Sequence, residues 1–261
     1  MEGGEQMDAT ADRLGESQFL GYDRGLFAVA ATSVDLHQAI ADTVREVRGQ
    51  ARPHYEPVAA QFASLAPTYV VGVADAGALL IVGRGDWRGV SEPGSNSARV
   101  EQLHMDLGEG PAFDAARKRC TVRVSDATTE TRWPRVTAAI TAHTPVRSLL
   151  CVPLYTHLRS WGAMMLLASQ PNGLDDEAGR AATILATHAA LTLEAVHHER
   201  HYRSALGSRD IIGQAKGMVM ERFDVDATAA FALLTGMAEE NHCPVVVGAK
   251  EMLGSKLAPG A

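Results

Sequence analysis

The sequence predicts an α+β protein in which an antiparallel sheet with flanking helices precedes a long connecting helix and an all-α bundle of three helices. Two apolar runs, 149–154 and 163–168, have the length of buried strands. Beyond residue 176, apolar or small residues instead recur every three or four positions, which is the spacing of a helix that faces a core. A similar stripe near the C-terminus marks the first helix of the bundle, at Ile212, Ala215, Val219 and Phe223.

Composition and charge narrow the class of protein. The chain has 261 residues, 46% of them hydrophobic and 21% charged, which is ordinary soluble composition with room for two modest domains. Its formal net charge of -7 means that contact with nucleic acid requires a local basic patch. No apolar run approaches the roughly 20 residues of a membrane span, and the N-terminus lacks the features of a signal peptide. We therefore expect a cytoplasmic protein with three reduced cysteines.

The first third of the chain predicts a leader, two helices and a hairpin. Acidic and small residues fill 1–30, which we expect to be disordered. Helical spacing follows in two segments, the first carrying Leu36 and Ile40 and the second carrying Val58 and Phe62. The β-rich runs 69–73 and 79–82, joined through 75–77, predict a hairpin.

The middle of the chain predicts alternating short elements. The sequence predicts a loop over residues 83–94 and a strand over residues 102–107. It then predicts a helix over residues 112–119. A strand over 121–124 comes next, and Pro134 opens another helix. The two apolar strands are joined by a turn near residues 157–160.

A long helix is predicted to connect the two halves. Asp175 is a suitable N-terminal cap, and the residues behind it approximate a coiled-coil seam. The helix is expected to run past Arg203 into the C-terminal segment, with a flexible point at 207–208. The seam residues are Ala178, Ala182, Leu185, Ala189, Leu193 and Val196.

Four motifs occur in order in the C-terminal segment 198–257. They are Ile-Gly-Gln-Ala-Lys-Gly at 212–217, Glu-Arg-Phe at 221–223, Ala-Phe-Ala-Leu-Leu at 230–234, and a stop at Asn241. With these motifs the segment resembles an ANTAR domain, a three-helix module of bacterial antitermination regulators. The resemblance implies binding to paired stem-loops with six-nucleotide loops in nascent RNA.

A second set of six motifs lies within residues 34–197, which resemble a GAF domain. The resemblance implies an antiparallel sheet with helices on its faces, often around a pocket for a small molecule. A GAF domain followed by an ANTAR domain is similar to regulators common in actinobacteria. The motifs are Leu-Gly-Glu-Gly-Pro at 107–111, Asp126, Arg-Trp-Pro at 132–134, Val-Arg-Ser at 146–148, Val-Pro-Leu at 152–154, and Gly162.

The candidate RNA-binding residues centre on Lys216. Gly213 and Gly217 flank it, and a helix that keeps two glycines four residues apart suggests close approach by another helix or by a phosphate backbone. Arg209 lies seven residues earlier, on nearly the same line of the helix. The full candidate set is Lys216, Arg209, Gln214, Ala215, Gly217 and Arg222.

An alternative hypothesis is that the bundle serves only assembly of the protein. Acidic and basic residues balance in 200–257, so the segment is near neutral. Pro244 is followed by three β-branched valines at 245–247 and by Gly248, and the third helix is expected to begin only near Ala249. Under this hypothesis the chain is a GAF-based sensory or scaffold protein that does not bind RNA.

The remaining residues predict no enzyme activity, no cofactor and no metal site. A thiol reductase would need paired cysteines, whereas Cys151 lies in an apolar run and only Cys120 follows basic residues. His197 and His201 have helical spacing, but no carboxylate or cysteine completes a metal site. For the GAF domain we expect either an unidentified small-molecule ligand or a ligand-free dimerisation scaffold. The preferred prediction is a homodimeric signal-transduction protein that regulates transcription antitermination by binding RNA stem-loops, with no membrane association.

Overall fold

A computed structural model describes residues 20–83 and 85–255. The chain forms two compact units, one as far as Glu194 and the other from Ala195. Residues 1–19 of the expected disordered leader lie outside the described residues, and for them the leader stays a prediction. The described backbone begins with a helix over Leu20–Gly49.

The centre of the first unit is a five-stranded antiparallel sheet, which confirms the predicted α+β class. The strand order is β2-β1-β5-β4-β3, with Leu80 opposite Arg88 between the first two strands and Leu79 opposite Ala163 between the next two. The strands are β1 (Asp75–Val82), β2 (Asp86–Gly89), β3 (Val122–Val124), β4 (Ser148–Tyr155) and β5 (Ser160–Ala168).

Eight helices complete the described part of the chain. The predicted helix after Pro111, the helix opened by Pro134 and the long helix capped by Asp175 are all present, and Asp175 Oδ1 accepts a hydrogen bond from Ala178 N at 2.8 Å. The helices are α1 (Leu20–Gly49), α2 (Tyr55–Tyr69), α3 (Asn96–Leu107), α4 (Pro111–Lys118), α5 (Pro134–His143), α6 (Asp176–Phe223), α7 (Ala227–Glu240) and α8 (Val245–Ser255).

Both faces of the sheet are covered. On one face, Leu149 and Met165 pack in a single core with residues of α3, α4 and α5, among them Phe113 and Ile140. On the other face, α2 contacts β1 and β5, and Phe62 is fully buried. The alternate strand residues Leu80, Leu150 and Leu166 are buried as well.

The seam expected to form a coiled coil is internal to the chain. Ala182, Leu185 and Ala189 are fully buried without any second copy. The spacing that resembles a coiled coil therefore serves packing within the chain, and this seam is not free to pair with a partner helix. α6 is also continuous through residues 207–208, where a flexible point was expected.

Two predicted elements in the first unit are wrong. Residues 69–73 form the end of α2 and a turn, in which Val70 N donates to Ala66 O at 2.9 Å and Gly72 has a φ of +85°. The hairpin partner of β1 is instead β2, within the expected loop 83–94. Residues 102–107 belong to α3, because Ser95 caps that helix by accepting a hydrogen bond from Ala98 N at 3.0 Å.

The second unit is the predicted bundle, built from the end of α6 together with α7 and α8. Asp226 caps α7, since its Oδ1 accepts hydrogen bonds from Thr228 N and Ala229 N. The third helix begins at Val245 rather than near Ala249, because Pro244 O accepts from Val247 N at 2.8 Å and Val245 packs against the core. The buried core residues are Ala215, Val219, Ala230, Leu234 and Ala249.

Candidate nucleic-acid interface

A groove between α6 and α7 brings together two of the predicted site residues. Lys216 is half-buried at this groove and Arg209 is exposed. Successive helix residues differ by about 100° around the axis, so Arg209, Gly213 and Lys216 share one side of α6 within about 60°. The residues lining the groove are Ala205, Ser208, Arg209, Ile212, Gly213, Lys216 and Phe231.

The two groove cations are available to an external anion. Neither Arg209 nor Lys216 makes an ion pair within residues 20–83 and 85–255, and no acidic side chain lines the groove. Arg203, by contrast, contacts the Glu199 carboxylate at 2.6 Å. A lysine or arginine that no carboxylate neutralises can hold a phosphate in exchange for released counterions.

The glycines beside Lys216 are not required by packing within the chain. A Cβ atom added to Gly213 or to Gly217 would meet no atom within 4 Å. Each glycine nevertheless costs the helix up to about 1 kcal/mol relative to alanine. The backbone at Gly213 is therefore open to close approach from outside.

The other predicted RNA-binding residues lie apart from this groove. Gln214 and Arg222 are exposed but point about 140° away from Arg209 around α6. Gly217 is exposed and lies about 80° from Arg209 around the helix axis. The Arg222 guanidinium lies 5.9 Å from the centre of the Phe223 ring. The side chain of Ala215 is fully buried between the helices, so its small size serves packing within the bundle.

Phe231 is the groove residue that the sequence pattern missed. Helical spacing predicts it to be buried together with Met237, yet their side chains are 47% and 43% exposed. The buried line of α7 runs through Ala230, Leu234 and Ala238 at intervals of four residues. Phe231 is rotated by about 100° from Ala230 around the helix axis, which places it at the edge of the buried side of α7. The four-residue spacing of Ala230, Leu234 and Ala238 is the sequence signal that could have predicted this position.

A buried carboxylate on α3 is hydrogen-bonded to β1 and to the loop between β2 and α3. Glu101 on α3 accepts hydrogen bonds from Ala78 N at 2.9 Å, from Ser91 Oγ at 2.6 Å and from Ser91 N at 3.1 Å. Burial raises the pKa of this carboxyl. A Cβ at Gly77 would come within 2.5 Å of a Glu101 carboxylate oxygen. This arrangement fastens α3 to the sheet.

His104 is a buried neutral imidazole on the same helix. Its Nδ1 lies 2.8 Å from Val100 O, and a carbonyl can only accept, so Nδ1 carries the proton. Nε2 has no hydrogen-bond partner within the described residues. Burial lowers the pKa of His104 to about 4. The ring packs edge-on to Phe113, whose own ring lies against Trp87 with ring centres 4.5 Å apart and the planes tilted by 45°.

The cysteines and histidines do not form a reactive centre in the described part of the chain. Cys120 is exposed, whereas Cys151 is fully buried in β4 and burial raises the pKa of its thiol. The His197 and His201 rings lie 4.2 Å apart. No cluster of three or more potential metal ligands occurs among the described residues.

Two known domain families match this chain, one in each of its two parts. The GAF domain model matches residues 56–194, more than half of the chain, and the ANTAR domain model matches residues 200–253. The chain therefore belongs to the GAF domain family, and its GAF domain is followed by an ANTAR domain. The ANTAR domain contains the groove between α6 and α7.

Several solved structures resemble the first part of the chain. The GAF domain of a Coxiella burnetii phosphoenolpyruvate-protein phosphotransferase is 16% identical, covers 64% of this chain and 98% of its own, and has a TM-score of 0.48. Its Acinetobacter counterpart is 15% identical, with 62% and 93% covered and a TM-score of 0.46. Free methionine-R-sulfoxide reductase from Neisseria meningitidis is 16% identical, with 63% and 91% covered and a TM-score of 0.42. No curated protein matches the chain. Among the described helices, none is long and apolar enough to cross a membrane.

Proposed function

We propose that this protein is a cytoplasmic, non-enzymatic regulator of transcription antitermination that binds paired stem-loops in nascent RNA. The matched ANTAR domain supports a role in RNA binding. A bound stem-loop pair would disfavour a competing terminator hairpin, so the regulator acts by binding and not by catalysis. The GAF domain, in this proposal, senses an unidentified small molecule or serves dimerisation.

One observation carries the RNA-binding proposal. Lys216 and Arg209 line a groove without a neutralising carboxylate, beside the open backbone of Gly213. The chain as a whole has a net charge of -7, so its field repels RNA at long range. A local pair of available cations is what phosphate binding requires under those conditions.

We further propose that the protein is a homodimer, because paired stem-loops call for two ANTAR domains. Tyr202 and Leu206 on α6 are 72% and 65% exposed and lie one turn apart. Burying two such side chains against a second copy would contribute about 1.5–3 kcal/mol each. Their exposure supports association through this part of the ANTAR domain.

The test is a gel-shift titration of an RNA carrying two stem-loops with six-nucleotide loops. Replacing Lys216 by alanine should weaken binding about tenfold or more, because a charge-assisted hydrogen bond contributes about 1.5–3 kcal/mol. The loss should shrink as salt rises, since the missing contact is electrostatic. Lys250→Ala is the matched control, because Lys250 is an exposed lysine of the same domain outside the groove. Equal affinity of wild type and Lys216→Ala would contradict the proposal.

The second candidate function is a GAF-based sensory or scaffold protein whose ANTAR bundle mediates assembly only. The exposed Tyr202 and Leu206 side chains favour it as well, since a helix-pairing surface does not require RNA. The same titration separates the two candidates. A scaffold would form a dimer while binding the stem-loop RNA no better than a scrambled RNA.

A further inference from the structure

The aromatic ring in the groove has no role in the core of the ANTAR domain. The buried positions of α7 are Ala230, Leu234 and Ala238, while Phe231 turns its ring to the groove and remains 47% exposed. A lone exposed phenylalanine is common on protein surfaces. This one, however, shares a groove with Arg209 and Lys216, which are two cations without an ion-pair partner among the described residues.

The chemistry of the groove fits a flat, negatively substituted ligand. An apolar protein helix would cover Phe231 but would leave Lys216 and Arg209 desolvated without a counter-charge, which is costly. A nucleotide satisfies all three residues, because its base offers an aromatic face and its phosphates offer acceptors. Gly213 leaves the floor of the groove open for the sugar-phosphate backbone.

We propose that Phe231 is a stacking platform for one unpaired base of the RNA loop, while Lys216 and Arg209 hold the phosphates beside that base. This inference rests on the proposed RNA-binding function and names the part of the RNA that the groove contacts. A base inside a duplex has both faces covered by its neighbours, so a phenyl ring can stack only on a base that is unpaired or splayed out. The groove therefore contacts the loop and not the stem.

The two kinds of contact respond differently to salt. Stacking is not a charge interaction, so loss of the Phe231 ring should lower the affinity by a similar factor at low and high salt. Loss of a phosphate contact instead reduces the slope of log affinity against log salt by about one. The Phe231 and Lys216 contributions can therefore be separated in one set of titrations.

The experiment compares Phe231→Leu, Phe231→Trp and wild type on two RNAs. The first RNA has two stem-loops with six-nucleotide loops, and the second has the same stems with abasic loop nucleotides. For the first RNA, Phe231→Leu should lose about 5- to 150-fold in affinity, as expected for removal of one base stack of about 1–3 kcal/mol. Phe231→Trp should bind at least as well as wild type, and its added tryptophan emission should be quenched on binding.

Matched controls isolate the stacking contribution. Phe223→Leu should bind like wild type, because Phe223 is also exposed but lies outside the groove. On the abasic RNA, Phe231→Leu and wild type should bind equally. Thermal unfolding confirms that each variant is folded, and if Phe231→Leu does not fold, the quenching of Phe231→Trp decides the question.

Failure of this inference and failure of the proposed function give different results. Wild type that binds neither RNA above a scrambled control overturns both. If wild type binds and Lys216→Ala is weakened, but Phe231→Leu binds like wild type or Phe231→Trp shows no quenching, then the stacking inference alone is overturned. A Phe231→Leu loss of the same size on the abasic RNA overturns it too.

Discussion

At the scale of single residues, the protein keeps an uncharged histidine inside the GAF domain. His104 has no exposed surface, and its one hydrogen bond in the described structure goes to Val100 O. Protonation would place a cation against Phe113 and the backbone of Gly110, and among the described residues no carboxylate pairs with His104. The pKa of His104 therefore falls to about 4 in the folded state, from an ordinary value of 6.5.

This depressed pKa predicts that His104 destabilises the GAF domain in mild acid. Between pH 6.5 and about 4 the unfolded chain binds the His104 proton while the folded chain does not, so the free energy of unfolding falls as the pH falls. The His104 contribution should be full above pH 6.5 and smaller by about 2 kcal/mol near pH 5. Urea unfolding of wild type and of His104→Leu at about pH 7.5 and about pH 5 measures it.

The variant isolates the histidine from other titrating groups. Glu101 has a raised pKa, so its contribution has the opposite sign and favours the folded state as the pH falls. Because Glu101 is present in both proteins, the difference between their pH dependences belongs to His104. A wild-type protein that loses no more stability than His104→Leu between the two pH values would contradict a buried neutral imidazole.

The candidate site could be read from the sequence only in part, and the reason lies in helix geometry. Seven-residue spacing correctly places Arg209 and Lys216 on one side of α6. The motif itself cannot tell which of its residues face the core, and Ala215 turns inward. Phe231 was missed because a large apolar side chain predicts burial, whereas the burial of α7 follows its alanines and Leu234.

At the scale of elements, capping and tertiary packing decide where the sequence patterns mislead. Residues 102–107 alternate in a strand-like way, but Ser95 starts a helix whose buried side includes Val100 and Leu103. The β-branched run after Pro244 has low intrinsic helix preference, yet α8 begins at Val245 because that side chain packs in the bundle core. Short-range preference is overridden in both cases by burial that depends on distant residues.

The open glycine of α6 gives a prediction that separates stability from function. Gly213→Ala should stabilise the ANTAR domain by up to about 1 kcal/mol, because alanine favours the helix and its methyl group meets no atom within 4 Å. The same methyl group enters the groove beside Lys216 and should lower RNA affinity. Thermal unfolding and RNA titration of the same variant measure the two effects.

The matched control for this variant is Gly236→Ala. Gly236 lies within α7, and a Cβ there also meets no atom within 4 Å, but the residue does not line the groove. It should gain similar stability and keep wild-type RNA affinity. Full RNA affinity in Gly213→Ala would argue that no ligand comes close to the α6 backbone.

At the scale of the whole molecule, the sequence predicted the order of the domains better than it predicted what buries the apolar side of α6. The two motif sets identify a GAF domain followed by an ANTAR domain, which the family comparison and the sheet architecture confirm. The apolar seam of α6 resembles a coiled coil in sequence but is buried by the chain itself at Ala182, Leu185 and Ala189. Spacing alone does not distinguish a helix that packs on its own domain from one that pairs with a partner.

We propose that RNA is held at the groove between α6 and α7 of the ANTAR domain. Ultraviolet crosslinking of the full chain to the stem-loop RNA, followed by mass spectrometry of tryptic peptides, locates the contact directly. The predicted adducts fall on peptide 210–216, which ends at Lys216, and on peptide 223–250, which contains Phe231. Adducts confined to residues of the GAF domain, or none above a scrambled RNA, would contradict the account.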